Sequence, residues 1–169
     1  GRLDELGVLH FADPFLQSTD IDTITISLPG SNKTLNLSEV EVISGGNNIA
    51  REAKSSQSST YNDDYPVAFL TDGDHGNFAH SAQGDTNPWF KFEFKQGVKV
   101  ENVKIFNRKG YEARFQDGRV SFFKGDQPIL SMGVSLNSPA SVEGMDSLIS
   151  PVYKTAMAYL QGRTIEADS

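Results

Sequence analysis

Apolar and polar residues alternate along most of the chain, which predicts strands rather than helices. Ile24, Ile26 and Leu28 recur at every second position, as do the phenylalanines of "WFKFEF" at 89–94. Because successive side chains of a strand point to opposite faces, each set would lie on one face of a sheet. No long segment repeats with the 3.6-residue period of an amphipathic helix. We therefore predict an all-β fold, an antiparallel jelly-roll sandwich of about eight strands, with the three phenylalanines in its core.

The next apolar run, "TLNLSEVEVI" at 34–43, changes phase part of the way along. Its leucines occupy odd positions before Ser38, and the valines after it occupy even positions. An extra residue in one strand produces such a shift, so we expect a β-bulge or a sheet edge near Ser38. The turn sequence "PGSN" separates this run from the strand at 24–28, and we predict that the two runs form a hairpin.

The chain ends and the long polar segment predict less regular structure. Residues 1–20 mix apolar and acidic side chains around Pro14, so we expect an irregular N-terminal arm with one short helical turn. A single domain would follow over residues 21–169, with "VYKTAMAYL" at 152–160 as its last apolar run. Residues 44–66 are rich in Ser, Asn, Asp and Gly, which predicts a long surface loop with little strand.

Composition excludes several classes of function. The 169 residues include no cysteine, so a disulfide framework, a thiolate metal site and a cysteine nucleophile are ruled out. The 15 basic and 22 acidic residues give a net charge of −7, which disfavours binding to nucleic acid or to anionic lipid. No apolar run approaches the ~20 residues of a membrane-spanning helix, and we expect no membrane insertion.

One polar segment, "TDGDHGNFAHS" at 71–81, concentrates the candidate chemistry. An EF-hand needs Gly at its sixth position and an acid at its twelfth, where counting from Asp72 gives Asn77 and Gln83. Zinc is disfavoured because the chain has three histidines, and the two in this segment have no nearby third ligand. The chain has neither a G-x-S-x-G nor an H-E-x-x-H motif, and its neighbouring acids are typical of solvated loops, so we predict that it is not an enzyme.

Four further segments follow one another in a distinctive order. "NNIAREAKSSQSSTY" precedes "PVAFLTDGD", "NPWFKFEF" comes next, and "VENVKIFNRKGYEARFQDGRVSFF" ends the series. This succession, over about residues 46–125, resembles the discoidin-like (coagulation-factor type C) family, and within it the F-type lectins and related carbohydrate-binding modules. The resemblance implies the galactose-binding-domain-like jelly roll, whose loops at one end bind a ligand without catalysis.

The segment "ITISLPGSNKTLNLSEVEV" at 24–42 resembles the last hairpin of that family, yet it precedes the other motifs. Two explanations stay open. The domain is permuted, with this N-terminal hairpin in the position of the C-terminal strands, or the segment is the tail of a preceding repeat. The chain after residue 125 holds no second copy of "LNLSEVEV", which favours the permutation. Chain termini are often close together in compact domains, which makes such a change tolerable.

The resemblance also implies one structural calcium ion. In lectin-like members, the loop after "DG" surrounds the ion with side-chain and carbonyl oxygens, and a glutamate of the last hairpin completes the site. The ligands implied in this chain are Asp72, Asp74, Asn77 and Ser81, with Glu39 or Glu41 from the hairpin. The alternative is a metal-free turn in which Asp72 caps backbone amides and Asp74 points into solvent.

A sugar site is implied as well, since F-type lectins hold fucose with one histidine, two arginines and an aromatic edge. The corresponding residues here are His80, Arg108, Arg114 and Tyr111. The chain departs from the family at Gly110, where the motif has an aspartate, and it lacks the family's cysteine pair, which argues against fucose as the sugar. In the alternative interpretation, the arginines pair with acids such as Glu112 or Asp117 and only hold the loop in place.

Two functions are consistent with these features. Our leading hypothesis is a non-catalytic carbohydrate-binding module that contacts a glycan or glycoprotein outside the cell. The other is a protein-docking or linker module of a larger assembly in an organelle or the cytoplasm, for example an antenna complex, with a decayed sugar site. The departure at Gly110 and the apolar arm favour the second. Tyr61 and Tyr65 lie in predicted loops and are further candidates for contact with a sugar or a protein.

Overall fold

Strands and short 3₁₀ turns make up the regular structure of residues 2–3 and 7–136, the part of the chain that this computed structural model describes. Eight strands in that part are four to ten residues long, and three have two residues each. The predicted all-β sandwich of about eight strands is confirmed. The predicted apolar run at 152–160, and with it the end of the predicted 21–169 domain, lies outside the described residues.

The strands form two sheets in which all neighbours are antiparallel. The first sheet has the order β1 (Arg2–Leu3), β2 (Val8–Phe11), β9 (Asn102–Asn107), β4 (Asn36–Ser44) and β5 (Asn47–Asn48), with β7 (Ala79–His80) also paired to β4. The second sheet has the order β11 (Gln127–Gly133), β10 (Arg119–Lys124), β3 (Ile21–Ser27), β8 (Trp89–Val98) and β6 (Lys54–Gln57). The 3₁₀ turns lie at Pro14–Gln17, Ala50–Glu52, Val67–Thr71 and Glu112–Phe115. None of these turns, which are the only helices in the described part of the chain, has the length or apolar character needed to cross a bilayer.

The alternating apolar residues meet in one core between the sheets. Ile24 and Ile26 of β3 and Phe90 and Phe92 of β8 are fully buried, and Phe94 is 8% exposed. They belong to the same cluster as the buried valines of β4 and β9 in the other sheet. Burying a side chain of this size stabilises the fold by about 1.5–3 kcal/mol. The prediction that the three phenylalanines lie in the core is confirmed.

The predicted bulge is present in β4. Its pairing with β9 shifts register between Leu37 and Glu39. Leu37 before the shift and Val40 after it both belong to the core. Glu39 instead contacts the loop that begins at Asp72, where its carboxylate accepts a hydrogen bond from the amide of Gly73 (2.8 Å) and is almost completely buried. The bulge therefore places an acid beneath the polar loop.

The predicted hairpin between residues 24–28 and 34–43 is wrong. Strand β3 pairs with β8 and β10 in the second sheet, whereas β4 pairs with β9 in the first. Their connection crosses from one sheet to the other, and Gly30 (φ 118°) and Asn32 (φ 56°) supply its left-handed positions. Alternation predicts a strand and its buried face, but it carries no information about the neighbouring strand. Both runs are integral strands of one sandwich, and their relation to a permuted hairpin stays a prediction.

Residues 1–20 are more regular than predicted. Val8–Phe11 forms β2, which pairs with β9 and buries Leu9 and Phe11 completely. The expected short helical turn is present at Pro14–Gln17, and its leucine is buried. The prediction of an irregular arm fails at β2 because four residues are too few for alternation to stand out beside the flanking acids.

The predicted long loop at 44–66 contains two short strands. Strand β5 pairs with the end of β4, and β6 pairs with β8 at the edge of the second sheet. The sequence of β6 is "KSSQ", which has no β-branched or aromatic residue. Backbone pairing along an existing sheet edge does not require apolar side chains, so composition alone missed this strand.

Candidate functional site

The four residues predicted to bind a sugar line one surface pocket. His80, Arg108, Tyr111 and Arg114 meet there around a volume of about 260 Å³. Tyr61, Tyr65, Phe78 and Gln83 complete the lining. Residues from three separate segments of the chain thus converge, and the order of motifs along the sequence anticipated that convergence.

Strand β7 fixes the position of His80. Its two residues pair with Asn36 and Leu37 of β4. The backbone amide of His80 donates to the carbonyl of Tyr65 (3.2 Å), and the amide of Tyr61 donates to the carbonyl of His80 (3.0 Å). These bonds attach the segment that carries both tyrosines to the edge of the first sheet, beside the histidine ring.

The loop after β9 brings in the arginines. The side chain of Asn107, the last residue of β9, accepts from the amide of Arg108 (2.9 Å) and donates to the carbonyl of Glu112 (3.1 Å). The 3₁₀ turn that follows buries Phe115, which is 1% exposed. Because both ends of the loop are attached to the fold, Arg108 and Arg114 keep defined positions in the pocket.

Aromatic rings hold both guanidinium groups. The guanidinium carbon of Arg108 lies 3.8 Å from the ring centroid of Phe78 and 3.8 Å from that of Tyr111. The guanidinium carbon of Arg114 lies 4.5 Å from the same Tyr111 ring. Such contacts contribute about 0.5–2 kcal/mol each, and they leave the N–H groups at the edge of the guanidinium plane available to a ligand.

Neither arginine pairs with an acid among the described residues, so the predicted ion pairs with Glu112 and Asp117 are absent there. Glu112 accepts from the amide of Gly110 (3.0 Å), and Asp117 accepts from the side chain of Gln116 (3.1 Å). The two acids are hydrogen-bonded within their own loop. Within the described part of the chain, the guanidinium groups have ring contacts and no hydrogen-bond acceptor.

His80 is buried, which favours the neutral form of its ring. Its Nδ1 lies 2.6 Å from the carbonyl oxygen of Ser81, so Nδ1 carries the proton and donates. Burial lowers the pKa of His80, the charges of Arg108 and Arg114 lower it further, and the bond to Ser81 opposes them. No described residue hydrogen-bonds to Nε2. The ring therefore presents an acceptor beside two sets of donors.

Aromatic side chains form the rest of the wall. The rings of Tyr65 and Phe78 stack with centroids 4.8 Å apart, and Tyr61 lies 4.9 Å from the His80 ring. Tyr61 is 51% exposed and Tyr111 is 41% exposed, and no other large apolar side chain of the described residues is exposed. Sequence reasoning named both tyrosines but missed Phe78 and Gln83. Phe78 precedes His80 by two residues, and this strand-like spacing is the signal that could have found it.

A second pocket, of about 440 Å³, adjoins the first and shares Gln83 and Arg114 with it. Lys33, from the crossing between the sheets, and Asp117 also line the second pocket. The two pockets therefore meet at the side chain of Arg114. A ligand longer than one ring would have room to continue from one pocket into the other.

The residues predicted to bind calcium separate into two groups. Asp72, Asn77 and Glu39 come together, since Asp72 accepts from the side chain of Asn77 (2.8 Å) and lies in hydrogen-bond reach of Glu39. Asp74 is exposed and caps its own turn by accepting from the amide of Gly76 (2.8 Å).

Ser81 lies apart from this cluster. Its hydroxyl accepts from the amide of Leu35 (3.0 Å) and donates to the carbonyl of Ala82 (2.9 Å). The hydroxyl thus links the backbone of Leu35, just before β4, to the segment after β7. The sequence offers Ser81 as a polar loop residue, but it directly follows His80 in an extended segment, where neighbouring side chains point in opposite directions.

The polar cluster under the loop contains buried oxygens without partners. Glu39 Oε1 and Asn77 Oδ1 are buried, and neither has a hydrogen-bond donor among the described residues. The hydroxyl of Ser38 is 2.8 Å from the carbonyl oxygen of His75 and 3.1 Å from that of Asn77, and its one hydrogen serves one of them at a time. Carboxylate, amide and carbonyl oxygens are the ligands that Ca²⁺ prefers, so the residues present fit that ion.

The pKa values of Glu39 and Asp72 also fit a bound cation. Burial raises the pKa of the Glu39 carboxyl to about 7, and the nearby charge of Asp72 adds to the effect, while the bond from Gly73 opposes it. Although burial opposes it, hydrogen bonds from Asn77 and Asp74 hold the pKa of Asp72 below its usual range. The described residues contain no group of three or more His, Cys, Asp or Glu side chains suited to a metal, so a cation here would depend partly on amide and carbonyl oxygens.

In comparisons with known proteins, no family model, no curated protein and no solved structure matches this chain. The resemblance to the discoidin-like family therefore stays a prediction, and the geometry of the pocket carries the functional argument.

Proposed function

We propose that this protein is a non-catalytic carbohydrate-binding module and that the pocket around His80 and the two arginines binds the sugar. The observation that carries the proposal is a set of polar groups, beside exposed rings, that have no hydrogen-bond partner in the described part of the chain. Arg108 and Arg114 present N–H donors, and Nε2 of His80 presents an acceptor. Sugar hydroxyls both donate and accept, so they match such a set.

The exposed rings supply the second half of sugar recognition. A pyranose has an apolar face of C–H groups, which packs against a flat aromatic surface while its hydroxyls meet polar side chains. Tyr61 and Tyr111 are both exposed at this pocket. Tyr61 offers such a surface, whereas the Tyr111 ring already contacts the two guanidinium groups. Tyrosine loses little conformational entropy on binding because it has only two side-chain torsions.

Binding without hydrolysis is favoured by the chemistry of the lining. Most glycoside hydrolases place two carboxyl groups across the scissile bond. The eight described residues that line the pocket include neither Asp nor Glu. Glu112, which lies between the two arginines in the sequence, accepts a hydrogen bond from the backbone of Gly110.

We assign a structural role to calcium, held by Glu39, Asp72 and Asn77 beneath the loop. Bound calcium would supply the positive charge that the buried carboxylate of Glu39 and the adjacent, exposed carboxylate of Asp72 otherwise lack. The loop leads directly to Phe78 and His80, so attaching it to β4 would keep one wall of the pocket in place.

A glycan array tests the proposal, with the protein assayed in calcium and in EDTA. We expect binding to a defined set of glycans, lost on His80→Ala and on Arg108→Ala and weakened in EDTA. Lys109→Ala is the matched control, because Lys109 lies in the same loop, carries the same charge as Arg108 and does not line the pocket. Array binding that survives both pocket substitutions would refute this site.

A protein-docking role in a larger assembly is the second candidate. Exposed tyrosines beside arginines are also typical of the centre of protein interfaces. In that case the array stays silent, and a stoichiometric protein subunit co-purifies with the wild type but not with Tyr61→Ala. The array therefore separates the two functions.

A further inference from the structure

Resting on the carbohydrate-binding function proposed above, we infer that the bound saccharide carries an anionic group, a sulfate ester or a carboxylate, bound by the guanidinium groups of Arg108 and Arg114. The two guanidinium carbons lie 3.8 and 4.5 Å from the centroid of the Tyr111 ring. Both arginines line the same pocket, so an oxyanion bound there meets N–H donors from both side chains.

This pocket is lined by positive charge, although the protein as a whole is negatively charged. The chain has a net charge of −7, yet its described lining contains two arginines and no acid. Two like charges that contact one ring repel each other, and no carboxylate among the described residues forms an ion pair with either arginine. A neutral sugar would occupy N–H donors but leave that repulsion in place, whereas an anionic group relieves it.

The hydrogen-bonding geometry of arginine leads to the same ligand class. A guanidinium presents its donors as a planar fork that matches the spacing of oxygens in a carboxylate or a sulfate. The rings of Phe78 and Tyr111 contact the flat face of Arg108, so the edge of its fork remains open toward the pocket. Other hydroxyls of the sugar would then be positioned for His80.

The experiment compares matched polysaccharides that differ only in charge. Dextran sulfate against dextran tests the sulfate ester, and polygalacturonate against its methyl ester tests the carboxylate. Binding of the wild-type protein is measured by calorimetry in calcium at physiological ionic strength. We expect at least tenfold tighter binding to one or both charged members than to their neutral counterparts.

Variants separate the pocket from general attraction between charges. Arg114 contacts only one ring in the described structure, so Arg114→Gln is expected to fold. This variant should lose at least tenfold in affinity for the charged member. Arg114→Lys keeps the charge but not the fork and should lose part of that affinity. Lys109→Gln should bind within about twofold of the wild type, because the electrostatic contribution of an exposed charge outside the pocket is small.

Each other outcome overturns the inference in an identifiable way. Equal binding to charged and neutral members contradicts the anionic group and leaves the carbohydrate-binding function intact. Equal losses in Arg114→Gln and Lys109→Gln show diffuse attraction rather than a site. Failure to bind either these polysaccharides or any array glycan contradicts the proposed function together with the inference.

Discussion

At the residue scale, the hydrogen bonds that the pocket residues make within the protein determine which of their polar groups can bind a ligand. The carbonyl of Ser81 accepts a hydrogen bond from Nδ1–H of His80, which leaves Nε2 of the neutral ring as an acceptor. Glu112 is hydrogen-bonded within its own loop, and neither arginine has an acid partner among the described residues. The ring of Tyr111 then contacts both guanidinium groups and remains 41% exposed. Each side chain of the proposed site is thus oriented by contacts that do not involve a ligand.

The ring of Tyr111 should matter more than its hydroxyl. Tyr111→Phe keeps the ring that both arginines contact, so we expect its affinity for the best array glycan to stay within about twofold of wild type. Tyr111→Ala removes the ring and should weaken binding about tenfold, because an aromatic contact of this kind is worth roughly 1 kcal/mol or more. Calorimetry measures both. Equal affinity of the two variants would show that the ring has no role.

The buried His80 should make stability depend on pH. Its pKa is lowered in the folded state, whereas in the unfolded chain it is about 6.5. Between the two values the unfolded state binds more protons, so this contribution to stability is complete above about pH 6.5 and is lost as the pH falls below it.

Thermal unfolding between pH 7.5 and pH 5 checks this dependence. His80→Asn cannot take up the proton, so its Tm should fall less steeply with decreasing pH than that of the wild type. The difference is limited to about 1.4 kcal/mol per pH unit for a single group. Identical slopes for the two proteins would mean that His80 takes up its proton in the folded state without cost.

At the element scale, the bulge in β4 and the short strand β7 bring the polar groups together. The register shift between Leu37 and Glu39 directs an acid toward the 72–78 loop instead of the core. Pairing of β7 with β4 then leads the chain from that loop to His80. One strand thus contacts both the proposed calcium cluster and the segment that enters the pocket.

Calcium should stabilise the protein through Glu39. We expect added calcium to raise the Tm of the wild type, by an amount that corresponds to about 2.7 kcal/mol at 100 times the dissociation constant. Glu39→Gln should remove most of this shift, because it removes a buried carboxylate ligand. Glu41→Gln is the control, since Glu41 lies two residues further along the same strand and opposite Lys104. An equal calcium shift in both variants, or none in the wild type, would contradict the assignment.

Strand β2 should be part of the cooperative fold. Phe11→Ala removes a fully buried ring and should lower the free energy of unfolding by about 3–5 kcal/mol in urea titrations. Val8→Ala, in the same strand but only partly buried, should cost clearly less. If Phe11→Ala left the free energy of unfolding unchanged, residues 8–11 would belong to an arm outside the cooperative fold, in line with the irregular arm predicted from the sequence.

The limits of sequence reasoning are visible in the same elements. Alternation identified β3, β8 and their core residues, and the phase change at Ser38 identified the bulge, because both signals are local. The partner of each strand is a long-range property, so the hairpin of β3 with β4 was predicted wrongly. Strand β6 was missed because its serines pair through the backbone alone.

In the candidate site, too, the sequence predicts some features and misses those that depend on long-range geometry. His80, Arg108, Tyr111 and Arg114 do share a pocket, as the order of motifs implied. The absence of an acid partner for the arginines among the described residues depends on loop geometry, which no spacing in the sequence reveals. Ser81 lies outside the polar cluster, because its hydroxyl is hydrogen-bonded to the backbone of Leu35 and Ala82.

At the scale of the whole molecule, the described sandwich provides a rigid frame for one small cationic area on an acidic protein. The two sheets share a core of fully buried side chains, so the loops that carry the pocket are attached to fixed strand ends. A chain with net charge −7 repels anions overall, so the local pair of arginines is what would attract an anionic ligand to this pocket.

The most direct test of the central claim is an NMR titration of the isotopically labelled protein with the strongest array glycan. The side-chain Nε–H resonances of Arg108 and Arg114 and the ring resonances of His80 report on the pocket itself. We predict saturable shifts of these signals, with a single dissociation constant that agrees with calorimetry, while the Nε–H of Arg51, outside both pockets, stays unchanged. Glycan binding that leaves the pocket resonances unmoved would contradict the claim that this pocket is the binding site.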